Sequence, residues 1–287
     1  MNYRHAFHAG NFADVIKHIV LARIIFHLRG KPAAFRVIDT HAGAGLYDLM
    51  GEEASRTGEF HNGIERLIDA ALPADVRHLL EPYLDAVAAH NSAGDLTFYP
   101  GSPMLARHLL RAQDRLVACE LEPRAAATLT QHLRGDRRAK AVTVDGWTAL
   151  TAYVPPKERR GIVIIDPPYE QPNEFARLAS ELQAAHRKWE TGTYLIWYPI
   201  KERDQPDALA KRLRRSGIAK ILRVELDLAS AQNITALRGS GLIIVNPPWL
   251  LETELAVILP ALAAALSGDQ KDAGWRMDRL ASEIMTQ

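Results

Sequence analysis

Apolar residues along this chain follow two periods in turn. Residues 13–28 repeat at helical spacing, with Asn11 as a candidate cap and Gly30 just beyond the end. Residues 35–38 form a short buried-strand pattern that runs into Asp39-Thr40-His41-Ala42-Gly43-Ala44-Gly45, a glycine-rich turn. From about residue 51 to 95 the pattern is helical, most clearly over 74–90, and no convincing strand interrupts it. Alternation then resumes. Ser102-Pro103 reads as a helix start, with a hydroxyl cap and a proline in the first turn. Strand patterns at 116–119, 141–144, 162–165 and 193–197 are separated by helical ones at 124–133, 173–189 and 207–215. Residues 221–228 and 241–245 are strand-like with no helix between them, so they are expected to pair antiparallel. Repeated β-α-β units predict a single α/β domain over residues 1–287 with a doubly wound, mostly parallel seven-stranded sheet. One strand is antiparallel, and a small helical insertion covers about 51–95.

Composition narrows the class. With 47% hydrophobic and 24% charged residues the chain is ordinary globular protein. No apolar run reaches the roughly 18–20 residues that span a bilayer; the longest, 19–26, is broken by Arg23. The N-terminus is polar and lacks a signal-type apolar stretch, and one cysteine, Cys119, precludes an intrachain disulfide. A cytoplasmic protein without membrane attachment is expected. A net charge of +1 argues against a dedicated nucleic-acid coat. It leaves room for basic patches, and three clusters could supply one. They are Arg134, Arg137, Arg138 and Lys140; Lys157, Arg159 and Arg160; and Lys211, Arg212, Arg214 and Arg215. Each reads more simply as a solvated helix face or loop edge.

Candidate chemistry lies where ligands bind in open α/β sheets, after the carboxyl ends of the strands. Asp39, His41, Gly43 and Gly45 follow the first strand, Glu120 the second, Asp145-Gly146 the third and Asp166-Pro167-Pro168-Tyr169 the fourth. Glu120 could accept both hydroxyls of a ribose, and Asp145 could accept from an adenine amine. Taken singly, the glycine turn could be packing, Glu120 a solvated strand-end acid and Asp145 a helix cap. Acids ending four successive strands suit a nucleoside-bearing ligand poor in phosphate, because phosphate would be repelled. Asp-Pro-Pro-Tyr is the specific element. Two prolines give a stiff backbone without N–H donors, so the Asp166 carboxylate and the Pro167 carbonyl can present acceptors to one spot. An exocyclic base amine, a poor nucleophile, needs such acceptors, and Tyr169 could stack on an unstacked base. Asn246-Pro247-Pro248-Trp249 has similar chemistry but follows the antiparallel pair, and reads as a strand-terminating turn.

This order resembles class I S-adenosylmethionine-dependent methyltransferases acting on exocyclic amines. The segment from Tyr3 to His18, together with Asp39 to Gly45 and Tyr99-Pro100-Gly101-Ser102-Pro103, resembles the bacterial RlmJ family, 23S ribosomal RNA adenine-N(6) methyltransferases, along the whole chain. The resemblance implies a Rossmann-like sheet and S-adenosylmethionine as cofactor. It implies that Asp166 is catalytic and that His18, His41, Ser102, Glu120, Asp145, Gly146 and Asp166 line the cofactor, with the methionine end near His18 and Asp39. Tyr3 would contact substrate, with Lys17 close by and Pro167 and Tyr169 at the base; no metal is implied. The implied partner is 23S ribosomal RNA, as protein-free or partly assembled precursor, handled by a monomer without a stable protein partner. The alternatives are a DNA adenine methyltransferase or another rRNA base-amine methyltransferase. A nicotinamide oxidoreductase would carry a fuller glycine fingerprint, where here Tyr47 and Asp48 follow. A non-catalytic RNA-binding module would not need the acids.

Overall fold

Strands covered on both faces read as unbroken apolar runs, and the run Gly161–Ile165 is buried at every position. The computed structural model describes residues 4–92, 94–228, 237–268 and 273–281. A short 3-10 turn, His5–Phe7, leads into α1 (Phe12–Arg29), β1 (Arg36–Asp39) and β2 (Leu46–Asp48). Helices α2 (Glu52–Thr57), α3 (Ile64–Asp69) and α4 (Ala74–Ala88) come next, then β3 (Phe98–Pro100), α5 (Ser102–Leu109) and β4 (Arg115–Glu120). The chain continues through α6 (Pro123–His132), β5 (Ala139–Thr143), α7 (Gly146–Tyr153), β6 (Gly161–Ile165) and α8 (Glu174–Lys188). It ends with β7 (Thr193–Ile200), α9 (Asp204–Arg214), β8 (Ile221–Asp227), β9 (Gly239–Val245), α10 (Leu251–Ser267) and β10 (Gly274–Ala281).

The main sheet has the order β10-β8-β9-β7-β6-β1-β4-β5. β9 is antiparallel to both β7 and β8, and β10 is antiparallel to β8. The Rossmann-like architecture is thus the expected one, with an eighth strand. β10 escaped the sequence reading because, beyond its backbone ladder with β8, its side chains engage the sheet largely through charge. Asp278 accepts from Arg223 Nε at 2.9 Å and from Nη2 at 3.0 Å, and most β10 residues are half-buried or exposed. An edge strand tied by charge carries little apolar alternation. The sequence reading also missed the short β2–β3 ribbon, which pairs Tyr47 with Tyr99 across the base of the α2–α4 helices.

α1 is buried over thirteen of its residues, Asp14, Lys17 and His18 among them. It packs with α4, α5 and α10 on one side of the sheet, while α8 and α9 cover the other. Asn11 caps it by accepting from the Asp14 N–H at 2.9 Å. Among the described residues, no helix is long and apolar enough to cross a membrane.

Candidate active site

Sheet order decides what the strand ends can do together. β6, β1, β4 and β5 are consecutive neighbours, all parallel. Asp166, Asp39, Glu120 and Asp145, each at or just past the end of one of these strands, therefore stand in a row along one edge. The chain leaves β1 toward β4 and β5, then returns to β6 on its other side, so the row spans the topological switch point. A cavity of about 720 Å³ opens there, lined by Lys17, His18, His41, Ser102, Glu120, Asp145, Gly146 and Asp166.

The glycine turn is shaped from beneath. Gly43 has φ +63°, and a Cβ there would lie 2.1 Å from the Tyr47 hydroxyl, which accepts the Ala44 N–H at 3.1 Å. Only glycine lets the backbone run this close to the ring. Glu120 accepts the Gly43 N–H on Oε2 and the Glu122 N–H on Oε1, both at 2.8 Å, and each oxygen keeps a lone pair for a ligand. Asp145 caps α7 through the Thr148 N–H at 2.9 Å and lines the cavity as well, so both roles read from the sequence coexist. Gly146 is required by His41: a Cβ would lie 2.5 Å from the imidazole and from the Thr40 carbonyl. Burial lowers His41 to about 4 and His18 to about 3, so both rings are neutral at physiological pH.

Ser102 differs from expectation. Gly101 takes the cap position and no side chain caps α5; Ser102 is the first helical residue and lines the cavity, with its hydroxyl near the Asp39 carboxyl. Asp39 is 0% exposed, and its Oδ2 has no hydrogen-bond partner. Burial, with Asp166 adding to it, pushes its carboxyl up to about 7. Asp39 is not among the residues lining the cavity; a buried acid left short of partners would respond to positive charge brought close to it.

Asp166 is held by a cation. Lys17 Nζ lies 2.5 Å from Asp166 Oδ2 and 2.8 Å from Asp14 Oδ1, and Lys17 is 4% exposed. Asp14 in turn accepts from His5 Nε2 at 2.9 Å and from the Gly10 N–H at 3.0 Å. Burial alone would raise the Asp14 carboxyl, but the charges of His5 and Lys17 hold it well below the usual carboxylate range. Burial opposes the Lys17 charge, and the two carboxylates more than offset it, raising the ammonium above its ordinary range. Asp14 was not recognised from the sequence. Its signal was there: Asp14, Lys17 and His18 share one face of an otherwise apolar helix at i, i+3 and i+4.

Pro168 lines the cavity, whereas Pro167 is buried and Tyr169 is not among the lining side chains. Tyr169 has φ +53°, its hydroxyl donates to the Trp197 carbonyl at 2.6 Å, and its ring packs on Phe175 and Trp197. β7 outruns its pairing with β6 by four residues, carrying Trp197 beside this corner, with Lys17 Nζ 5.8 Å from the indole. Trp197 went unnoticed because it reads as one more core residue of its strand. Tyr3 lies outside the described residues.

Asn246-Pro247-Pro248-Trp249 is at the other end of the sheet. β9 runs backwards, so Val245 pairs with Tyr194 at the start of β7. Asn246 donates to the Glu190 and Gly192 carbonyls, closing a turn. In the basic clusters, Arg138 is engaged by Asp136 and the Leu110 carbonyl, and Arg160 by the Leu28 and Ala33 carbonyls, so these two are structural ties.

Comparison with known proteins agrees with the geometry. The family described as RsmJ, "Ribosomal RNA large subunit methyltransferase D, RlmJ", matches residues 32–280. A protein of Escherichia coli named "Ribosomal RNA large subunit methyltransferase J" is 42% identical over 93% of this chain and 94% of its own. Its namesake from Haemophilus influenzae is 40% identical over the same shares. The crystal structure of the Legionella pneumophila protein LPL1258 superposes with a TM-score of 0.86 at 32% identity, covering 95% of this chain and 98% of that one.

Proposed function

The chain belongs to the RlmJ family of ribosomal RNA large subunit methyltransferases, and from that premise we propose that it methylates the exocyclic 6-amino group of an adenine in 23S ribosomal RNA, with Asp166 as the catalytic residue. It is an S-adenosylmethionine-dependent enzyme. The observation that carries the reading is the Asp166 carboxylate at the cavity wall, locked to Lys17 and followed by a donor-free proline pair.

The residues present fit the cofactor. The unpartnered Asp39 Oδ2 and an excess of carboxylates over cations among the lining side chains suit a ligand carrying an ammonium and a sulfonium. Asp145 with Gly146 would hold its adenine, Glu120 its ribose, and His18, His41 and Ser102 its amino-acid end. S-adenosylmethionine supplies a methyl group activated by the positive sulfur. Asp166 Oδ and the Pro167 carbonyl would accept the two amine N–H groups of the target base, favouring a more tetrahedral, more nucleophilic nitrogen and taking up developing positive charge. Lys17 would hold the Asp166 carboxylate in place, and Tyr169 and Tyr3 would meet the base and its strand. We read residues 1–287 as one catalytic domain with an insertion over about 51–95, acting as a cytoplasmic monomer, without a stable protein partner, on protein-free or partly assembled RNA.

Asp39 predicts a pH dependence. An acid whose folded pKa is raised to about 7 destabilises the free protein progressively as pH rises from the ordinary carboxylate range to 7. A cationic ligand favours the ionised form, so binding releases a proton below pH 7. Affinity for S-adenosylmethionine is expected to rise about ten-fold from pH 5.5 to 7 and to level off above. Calorimetry in buffers of different ionisation enthalpy measures the proton release, and Asp39→Asn should flatten the profile. A flat wild-type profile would remove Asp39 from the site.

The function is tested by incubating 23S RNA, and separately complete large subunits, with enzyme and methyl-labelled S-adenosylmethionine, then analysing the nucleosides by mass spectrometry. Labelled N6-methyladenosine from the bare RNA, and little from complete subunits, is expected. Label on another base, or preferential labelling of DNA, would overturn the assignment.

A further inference from the structure

Tyr99 opens the Tyr-Pro-Gly-Ser-Pro segment, and it has no part in the chemistry above. Three buried groups run in line from the helices between β2 and β3 to the cavity wall. Tyr83 on α4 is 1% exposed, Tyr99 on β3 is 0% exposed and His18 on α1 is 1% exposed. The two tyrosine hydroxyls are 3.2 Å apart, and the Tyr99 hydroxyl is 2.8 Å from His18 Nδ1. The Tyr99 and His18 rings stack at 5.5 Å with 22° between their planes, which fixes the approach of hydroxyl to nitrogen. His18 lines the cavity, and Nε2, its other ring nitrogen, has no protein partner among the described residues.

Proton counting leaves two arrangements. Each hydroxyl has one proton, and so does the neutral imidazole. If Nδ1–H donates to Tyr99 and Tyr99 donates to Tyr83, the Tyr83 proton is buried with no acceptor among the described residues. In the reverse direction Tyr83 donates to Tyr99, and Tyr99 donates to Nδ1. Both hydroxyl protons are then used, and His18 carries its own on Nε2, which faces the cavity instead of a buried dead end. A buried donor without an acceptor is the costly alternative, so the second direction is favoured.

We propose that Tyr83 and Tyr99 are positioning residues. They fix His18 as the Nε2–H tautomer, a hydrogen-bond donor to the carboxylate at the amino-acid end of the cofactor. The inference rests on the reading of His18 as a cofactor-binding residue. It gives the α4 helix a part in the site although Tyr83 does not line the cavity. The ribbon that leads to Ser102 at the cavity wall also delivers the Tyr99 hydroxyl to His18.

The tautomer can be read without cofactor. Long-range proton–nitrogen correlation spectra of histidine-labelled protein, with His18 assigned by its loss in His18→Gln, should show the Nε2–H form unchanged between pH 6 and 8. Tyr99→Phe keeps the stacked ring but removes the donor. It should give a mixture of tautomers and weaken S-adenosylmethionine binding about ten-fold by calorimetry, with kcat at saturation unchanged. Tyr83→Phe should shift both readouts the same way, by less. An Nδ1–H tautomer in the wild type, or a Tyr99→Phe protein with unaltered tautomer and affinity, would overturn the proposal. If His18→Gln bound cofactor as the wild type does, the cofactor reading of His18 would fall instead, and the spectra would still decide the direction of the chain.

Discussion

Alanine at position 166 is expected to lower kcat by at least about a thousand-fold, roughly 4 kcal/mol of transition-state stabilisation, while the protein still folds. In the proposed reaction the carboxylate accepts from the target amine, and the proline pair that follows it offers no donor in exchange. Folding tolerates the change because the partner left behind is not stranded: Lys17 Nζ keeps Asp14 at 2.8 Å. The Asp166 side chain is also 15% exposed, so water can enter the space it vacates. Single-turnover assays with labelled cofactor, beside thermal unfolding of the same sample, separate catalysis from stability. Near-normal methylation by Asp166→Ala would mean that the amine is activated elsewhere.

Methionine at position 17 should be costly in both respects. Removing the ammonium leaves Asp14 and Asp166 close together, with the His5 ring and the Gly10 N–H still hydrogen-bonded to Asp14. Breaking a buried pair in this way destabilises by about 3–5 kcal/mol. The loss should depend on pH in a defined direction. In the wild type the depressed Asp14 adds stability that is present above the ordinary carboxylate range and is lost as pH falls through its folded value. Without Lys17 part of that contribution goes, so the two proteins should differ less in strong acid and diverge as pH rises. Urea unfolding at pH 3 and pH 6 measures this, and a deficit no larger at pH 6 would contradict the assigned charges. Turnover at pH 8 should fall about a hundred-fold, because nothing then holds the Asp166 carboxylate toward the substrate. Lys17→Arg keeps the charge and should recover much of the stability but less of the rate, since the larger planar guanidinium cannot hold Asp166 where the compact ammonium does.

The role of Lys17 was legible only as proximity. Lys17 and Asp166 are 149 positions apart in the chain, and the ion pair exists because α1 packs across the end of β6. Asp166-Pro167-Pro168-Tyr169 could be picked out because proline stiffness and the absence of donors are properties of residue type. Where Tyr169 points could not: its positive φ and the bond to the Trp197 carbonyl follow from how far β7 extends past β6. Ser102 shows a smaller failure of the same kind. A hydroxyl before proline reads as a cap by local rule, but Gly101 takes the cap position and Ser102 falls inside the helix, at the cavity wall.

By itself the amino-acid sequence determined the alternation of strands and helices, the acids after four parallel strands, and the amine-directed character of the proline corner. Each of these depends on spacing and residue chemistry within a few positions. The tertiary structure alone decided that the four acids are neighbours in the order Asp166, Asp39, Glu120, Asp145, and that the second proline corner lies at the far end of the sheet. It also decided that a lysine, two tyrosines and a histidine from distant segments come within bonding distance at and behind the cavity wall. Hydrogen bonds and ion pairs act over a few ångströms of space, and only packing sets those distances when the groups are far apart along the chain.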